Sequence, residues 1–166
     1  MRSATKAAEN VFYLARSEAA KFNDRLSSRE GAAEELGIDR TRLARIELGV
    51  LNPYADEVVL MASAYKEPHL RMQYCKHMCP LGKNFPEVEE VSLDRISLEA
   101  LSKFRKINTA KELLLDITAD GVIDDSEKDD LRSVIETLDA VAKTAEQLKC
   151  WAEKNLDSFD LGKERS

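Results

Sequence analysis

The chain has 166 residues, of which 43% are hydrophobic and 34% charged, and its formal net charge is −6. This composition is typical of a globular protein and argues against a disordered or membrane-embedded one. The charge is unevenly divided. Residues 1–83 hold 13 basic and 11 acidic residues, a net charge of +2, whereas residues 84–166 hold 12 and 20, a net charge of −8. The acidic total therefore does not exclude nucleic-acid binding by the first half.

The N-terminal segment predicts an amphipathic helix and argues against secretion. Glu9 and Asn10 fall where a signal peptide needs an unbroken apolar core. No apolar run reaches the roughly 18 residues of a membrane span, so we expect a protein that makes no membrane contact. From residue 4 to residue 23, apolar side chains recur at helical spacing: Ala8, Val11, Phe12, Ala15, Ala19 and Phe22.

A short helix is predicted to begin at residue 28. Ser28 is a suitable N-cap, since its hydroxyl can accept a hydrogen bond from a backbone N–H of the first turn. Gly37 ends the helix, because glycine readily adopts the left-handed conformation that is common there. The buried side of this helix is predicted to comprise Ala32, Ala33 and Leu36.

A second short helix is predicted directly after that turn. Asp39 caps it, and Leu43 and Ile46 point inward at a spacing of three residues. Gly49 ends this helix, and Asn52-Pro53 then turns the chain into a third one. Two short helices joined by a turn that contains glycine are the arrangement of a helix-turn-helix unit.

The stretch AAEELGIDRTRLARIELGVLNP, residues 32–53, resembles the Cro/CI-type (XRE-like) helix-turn-helix transcriptional regulators. The resemblance extends over roughly residues 7–68, less than half of the chain. It implies a domain of four or five helices in which the second short helix, at about 40–47, enters the major groove of operator DNA. The chain is therefore expected to be a sequence-specific regulator, a repressor, that binds double-stranded DNA as a homodimer.

The resemblance also implies roles for individual residues. Base reading falls to Arg40, Thr41 and Arg45, and phosphate contacts fall to Ser28, Arg29, Arg42 and Asn52. An arginine suits base reading because its planar fork can pair with two acceptors of guanine. Glu47 is expected to form an internal ion pair with Arg16. Taken alone, three arginines on a helix are more typical of a solvated surface.

The segment CKHMCPLGK, residues 75–83, places Cys75 and Cys79 four residues apart with His77 between them. Two thiolates at this spacing can bind zinc or form a redox pair, although a structural zinc site needs four ligands. Two cysteines packed at a helix end are the simpler interpretation. With Cys150 the chain has three cysteines, an odd number that is typical of reduced thiols in the cytoplasm. A subgroup of these regulators carries a similar C-x3-C-P-x-G-K segment before a helical tail.

Residues 80–92, PLGKNFPEVEEVS, predict a linker, since they contain two prolines, a glycine and an acidic cluster. The expected domains are therefore 1–79, which would bind DNA, and 93–156, which would serve oligomerisation or signal reception. In the second domain, helices are predicted at 93–106, 109–117 and about 125–154. No useful alternation of strand residues is present, so the predicted fold is all-α, with a helix-turn-helix domain followed by a helical hairpin or bundle.

Residues 116–127, DITADGVIDDSE, fit most positions of a calcium-binding EF-hand loop. Its oxygen ligands would be Asp116, Asp120, Asp124 and Glu127. Thr118 occupies a position where a carboxylate or amide is expected. A turn followed by a capping box, in which Asp124 and Glu127 hydrogen-bond each other's backbone, explains the same residues. No resident cofactor is expected, with calcium here and zinc at Cys75, His77 and Cys79 as alternatives.

The last predicted helix carries an apolar seam at near-heptad spacing, formed by Leu131, Ile135, Leu138, Ala142, Ala145, Leu148 and Ala152. Val134, Val141 and Trp151 widen it. Such a seam either closes a bundle within the chain or pairs two chains.

Three functional interpretations follow from these patterns. The first is the DNA-binding regulator. The second is a protein-interaction module, such as an antitoxin-like autoregulator that binds a partner through its acidic C-terminal helices. The third is a metal- or redox-responsive sensor. An enzyme is not expected, since the two histidines both lie near the domain boundary and no nucleophile motif or phosphate-binding loop is present.

Overall fold

A computed structural model describes residues 9–156 of the chain and shows an all-α protein. Its α-helices are α1 Val11–Ala19, α2 Arg29–Leu36, α3 Arg40–Glu47, α4 Ala55–Ala64, α5 His69–His77, α6 Leu93–Ile117 and α7 Lys128–Asn155. Short 3-10 turns lie at Asp24–Ser27 and Pro80–Asn84. Among the described helices, none combines the length and the apolar character needed to cross a membrane. The chain divides into two compact units, Met1–Phe85 and Pro86–Ser166.

The first unit is built around one hydrophobic core to which α1 to α5 all contribute. Its fully buried large side chains are Phe12, Leu26, Leu43, Ile46, Val58 and Met61. Burial of a side chain of this size contributes about 2 kcal/mol. The predicted inward positions Ala32, Ala33 and Leu36 of α2 are buried as well, which confirms that prediction.

The first helix is shorter than predicted. Asn10 caps α1 by accepting hydrogen bonds from the backbone N–H groups of Phe12 and Tyr13, and the helix ends at Ala19. Phe22, expected on the buried side, is 91% exposed. The side chain of Asn23 accepts a hydrogen bond from Arg25 N, and such a local bond favours a turn over a continued helix. Residues 4–8 of the predicted helix, including Ala8, lie outside the described residues.

The second unit is an antiparallel hairpin of two long helices. Near the middle of α6, the ammonium group of Lys103 donates to the hydroxyl of Thr144 on α7, at 2.6 Å. The prediction of two helices at 93–106 and 109–117 was wrong, since α6 is continuous from Leu93 to Ile117. Asn108 and Thr109 are weak helix formers, but neither stops a helix as proline does. The long helix predicted at about 125–154 is confirmed as α7.

The segment predicted to be a linker is shared between the two units. Its first part, the turn Pro80–Asn84, belongs to the first unit, and the division falls between Phe85 and Pro86. In its second part, the carboxylate of Glu90 accepts a hydrogen bond from Lys154 near the end of α7, at 2.6 Å. Residues 80–92 therefore make contacts within the unit to which each part belongs.

Candidate nucleic-acid interface

The connection between α2 and α3 is built from local capping interactions. The Ser28 hydroxyl accepts a hydrogen bond from Gly31 N at 3.0 Å, and the Asp39 carboxylate accepts one from Arg42 N at 2.9 Å. Between the two helices, Gly37 has a φ angle of 65°, a left-handed conformation that costs a residue with a Cβ roughly 1–2 kcal/mol. Both predicted caps and the turn glycine are thus confirmed.

Helix α3 separates an apolar inner side from a basic outer side. Leu43 and Ile46 are 0% and 1% exposed and belong to the core, as predicted. Three of the residues on the outer side are Arg40, Thr41 and Arg45, all of which are exposed. The structure therefore places the three predicted base-reading residues together on one side of a helix that the core holds in place.

A buried carboxylate joins α3 to the two helices before it. Glu47 is fully buried, and its oxygens accept hydrogen bonds from Nε and Nη2 of Arg16 on α1, at 2.5 and 3.2 Å. Nε of Arg29 on α2 donates to the same carboxylate at 2.6 Å. Burial alone would lower the pKa of Arg16, but the hydrogen bond and the charge of Glu47 outweigh it and leave that pKa raised. The expected pair of Glu47 with Arg16 is confirmed.

Arg29 was not expected in this cluster. Its side chain is 34% exposed, and Nε is already engaged by Glu47. A phosphate contact by Arg29 is consequently restricted to its remaining guanidinium nitrogens. Of the other predicted phosphate residues, Ser28 is exposed at the start of α2, and Asn52 is exposed in the loop between α3 and α4.

Arg42, a predicted phosphate residue, is paired with α4 within the first unit. Its Nε and Nη2 donate to the two carboxylate oxygens of Glu57 on α4, at 2.5 and 2.8 Å, and its guanidinium lies 4.0 Å from the centroid of the Tyr54 ring. The hydrogen bond from Arg42 lowers the pKa of Glu57. Because Nε and Nη2 are occupied by this carboxylate, the pair positions α3 against α4, and a phosphate contact by Arg42 is restricted to Nη1.

Sequence reasoning missed Glu57, Tyr54 and Ala44 at this surface. Glu57 also accepts a hydrogen bond from Tyr54 N, and a glutamate three residues after a helix-starting position is a recognisable capping signal. Its pairing with Arg42, fifteen residues away, has no such signal. Ala44 lies half-buried among the exposed residues of α3.

The cysteine segment forms a compact end to α5. Cys75 and Cys79 are half-buried free thiols, and His77 is exposed. The ammonium group of Lys76 donates to the carbonyls of Lys83 and Phe85, which holds the turn Pro80–Asn84 against the helix. This arrangement agrees with the packing interpretation of the two cysteines.

Burial raises the pKa of the Cys75 thiol, and the neighbouring Cys79 adds to the effect, so the reactive thiolate is disfavoured. Within residues 9–156, no third His, Cys, Asp or Glu forms a mutual 4.8 Å cluster of ligand atoms with the two thiols.

Residues 116–127 form a turn in which Asp124 and Glu127 hydrogen-bond each other's backbone as predicted, but α7 begins only at Lys128, so Asp124 does not cap it. Asp124 accepts hydrogen bonds from the N–H groups of Ser126 and Glu127, and Glu127 accepts one from Asp124 N. Asp120 accepts a hydrogen bond from Val122 N, and Asp116 belongs to the last turn of α6. No three of the four predicted carboxylates in this described segment bring their oxygens within 4.8 Å of one another.

Comparison of the chain with known protein families, curated proteins and solved structures gives no match. The likeness to Cro/CI-type regulators consequently rests on the residues of α2, α3 and the loop after them. The geometry of this surface is the basis for assigning a function.

Proposed function

We propose that the protein is a sequence-specific DNA-binding transcriptional regulator whose α3 enters the major groove. The observation that supports this most strongly is the outer side of α3, where Arg40, Thr41 and Arg45 are exposed together. On the inner side, Leu43, Ile46 and Glu47 are buried and fix the orientation of the helix. A reading helix needs both properties, because side chains can discriminate between bases only from a rigid support.

The arginines of α1, α2 and α3 divide into a group that is paired within the first unit and a group that is exposed on α3. Arg16, Arg29 and Arg42 are paired with carboxylates of the first unit, Glu47 and Glu57. Arg45 is exposed on the outer side of α3, so its fork is well placed to meet the two acceptors of a guanine. Arg40 and Thr41, at the start of the helix, would contact neighbouring bases. Ser28 and Asn52 would bind phosphates on either side and set the register.

The charge distribution agrees with this orientation. The first unit has a net charge of +2 and the remainder of the chain a net charge of −8. A DNA-binding surface on the first unit would therefore meet the phosphate backbone with its local positive charge. Repression of transcription and a dimeric state are part of the same proposal. They follow from the resemblance and from the two half-sites that such proteins commonly read.

Selection of bound fragments from random DNA, followed by fluorescence anisotropy on the selected sequence, tests the proposal. One good arginine–guanine contact is worth about 1–3 kcal/mol, so Arg45→Ala should weaken specific binding by roughly 5- to 150-fold and reduce base preference at one position. Lys21→Ala is the matched control, because Lys21 is an exposed cation of the first unit that lies outside α3 and pairs with Glu18.

The two variants give opposite expectations. Lys21→Ala should retain the selected sequence and nearly all of the affinity, and wild-type binding should weaken as salt rises. If no sequence is enriched, or if Arg45→Ala binds the selected DNA as wild type does, α3 is not a reading helix. The exposed side of α3 would then be better explained as a surface for a protein partner.

A further inference from the structure

The helical hairpin of the second unit has an uncovered apolar side. We define the hairpin face as eight exposed residues: Leu101, Phe104 and Leu115 on α6, and Ile135, Leu138, Ala142, Ala145 and Leu148 on α7. The six large side chains among them are between 44% and 61% exposed. At 100° per residue along two antiparallel helices, both stripes point to the same side of the hairpin.

Helix α6 packs beside the predicted seam of α7 and leaves much of that seam uncovered. Val134 and Thr144 are buried, whereas Ile135, Leu138 and Leu148 are about half exposed. The heptad-like spacing identified in the sequence is therefore retained on the surface. A heptad seam widened by further apolar positions such as Val134, Val141 and Trp151 suits a bundle of more than two helices, because each helix then contacts two neighbours.

Few side chains of the second unit are therefore buried within a single copy of the chain. Over the 25 residues of α6, only Ile96, Ala110 and Ile117 are buried. Layered domains require each apolar face to be covered by another element, and two helices alone cover one stripe each. Two more helices placed on the hairpin face would complete a four-helix bundle.

The remainder of the chain outside the described residues offers little to cover this face. Residues 1–8 and 157–166 contain only Met1, Phe159 and Leu161 as large apolar residues, among many charged and polar ones. Six half-exposed large side chains amount to roughly 500 Å² of apolar surface. A standard interface buries about 800 Å² per partner, somewhat more than half of it apolar. The hairpin face thus has the apolar area that one partner contributes to a stable dimer.

The charges around the face also suit a second copy. Lys149, among the apolar residues, pairs within one copy with Glu146 at the border, at 2.7 Å, whereas Lys111 and Glu112 are exposed on α6. Each copy therefore presents both signs, and a twofold arrangement can bring Lys111 of one copy toward Glu112 of the other. A long lysine side chain can also cover apolar surface with its stem while its ammonium group reaches outward.

We propose that the hairpin face binds the hairpin face of a second copy of this chain, so that α6 and α7 of both copies form a four-helix bundle. This inference supplies the interface for the dimer in the proposed function, but it depends on the second unit alone. A C2 interface uses the same patch on both copies, so each substitution in the face acts twice.

Sedimentation equilibrium without DNA tests the proposal. Wild type should sediment at twice the chain mass, and Leu138→Glu should raise the dimer dissociation constant by at least about 100-fold, because two apolar contacts are lost. Leu98→Glu is the matched control. Leu98 is a leucine of α6 that is 69% exposed, and it lies about a quarter turn around the helix from the face. This variant should remain dimeric.

A second measurement covers the case in which Leu138→Glu fails to fold. Trp151 is the only tryptophan and lies on α7, so its fluorescence reports thermal unfolding of the second unit. In the wild type its midpoint should rise with protein concentration, as expected when the folded form is a dimer. The proposal is overturned if the wild type is monomeric and its unfolding midpoint does not depend on protein concentration. It is also overturned if Leu98→Glu dissociates to the same extent as Leu138→Glu.

These results are distinguishable from a failure of the proposed function. A monomeric wild type that still binds selected DNA through Arg45 would refute only the dimer interface. A dimer that dissociates on Leu138→Glu but selects no DNA would support the interface and contradict the DNA-binding role.

Discussion

Replacing Glu47 with alanine removes the acceptor of three hydrogen bonds and leaves a guanidinium without its counter-charge. Arg16 is 5% exposed, so water cannot replace the lost carboxylate. Its remaining hydrogen bonds go to the backbone carbonyls of Leu26 and Ser27, at 2.8 and 3.5 Å. Breaking a buried pair in this way costs about 3–5 kcal/mol, a large part of the roughly 5–15 kcal/mol that stabilises a typical domain.

Urea denaturation provides the assay, with far-UV circular dichroism following all helices and Trp151 fluorescence following the second unit. Glu47→Ala should lower the urea concentration at which half of the first unit is unfolded. The dependence of the unfolding free energy on urea should change little, because unfolding exposes nearly the same surface area. Glu18→Ala is the control, since Glu18 also pairs with a cation but its side chain is 70% exposed. Exposed ion pairs contribute little to the free energy of unfolding, so Glu18→Ala should unfold at nearly the same urea concentration as the wild type.

The double variant Arg16→Met/Glu47→Leu tests whether the buried charge is the cause. Replacement of a buried ion pair by apolar groups of similar volume is often close to neutral, so the double variant should regain most of the stability lost in Glu47→Ala. The explanation is refuted if Glu47→Ala costs less than about 1 kcal/mol, or if the double variant is as unstable as the sum of its two single changes.

Two further predictions concern the support of the DNA-binding surface and the end of α5. The pKa of Glu57 is lowered by its hydrogen bond with Arg42, so the stabilisation is present above its ordinary pKa of 4.5 and is lost as the pH falls through the lowered folded value. The thermal unfolding midpoint of Glu57→Gln should therefore be lower than that of the wild type near neutral pH, and the two midpoints should converge in acid. A difference between the midpoints that stays the same at all pH values would contradict the pairing of Glu57 with Arg42. A Cβ at Gly82 would lie 1.5 Å from the carbonyl oxygen of Cys75, so Gly82→Ala should displace the turn at a cost of about 1–3 kcal/mol. Hydrogen exchange should then accelerate in residues 76–85, and unchanged protection there would count against close packing.

The capping residues of the helix-turn-helix region were predictable from the sequence because their interactions are local. Ser28 and Asp39 each bind a backbone N–H three residues away, and Gly37 meets a backbone requirement that few other residues satisfy. The exposure of Arg45 was equally predictable, since the periodicity of α3 places it opposite the buried Leu43. The predicted break between residues 106 and 109 is absent, because Asn108 and Thr109 are weak helix formers but do not stop a helix as proline does.

Only the tertiary structure decided which charged and apolar groups meet across helices. Arg42 was predicted to face phosphate, but Glu57, fifteen residues later, occupies its guanidinium. The sequence predicts the apolar seam that includes Leu138, but the periodicity of a single helix does not show which side of that seam a neighbouring helix buries. Caps and turns depend on backbone groups within a few residues, whereas ion pairs and helix packing depend on how distant segments approach. The sequence by itself therefore determined the local elements of this protein, and the tertiary structure determined which side chains remain available for binding.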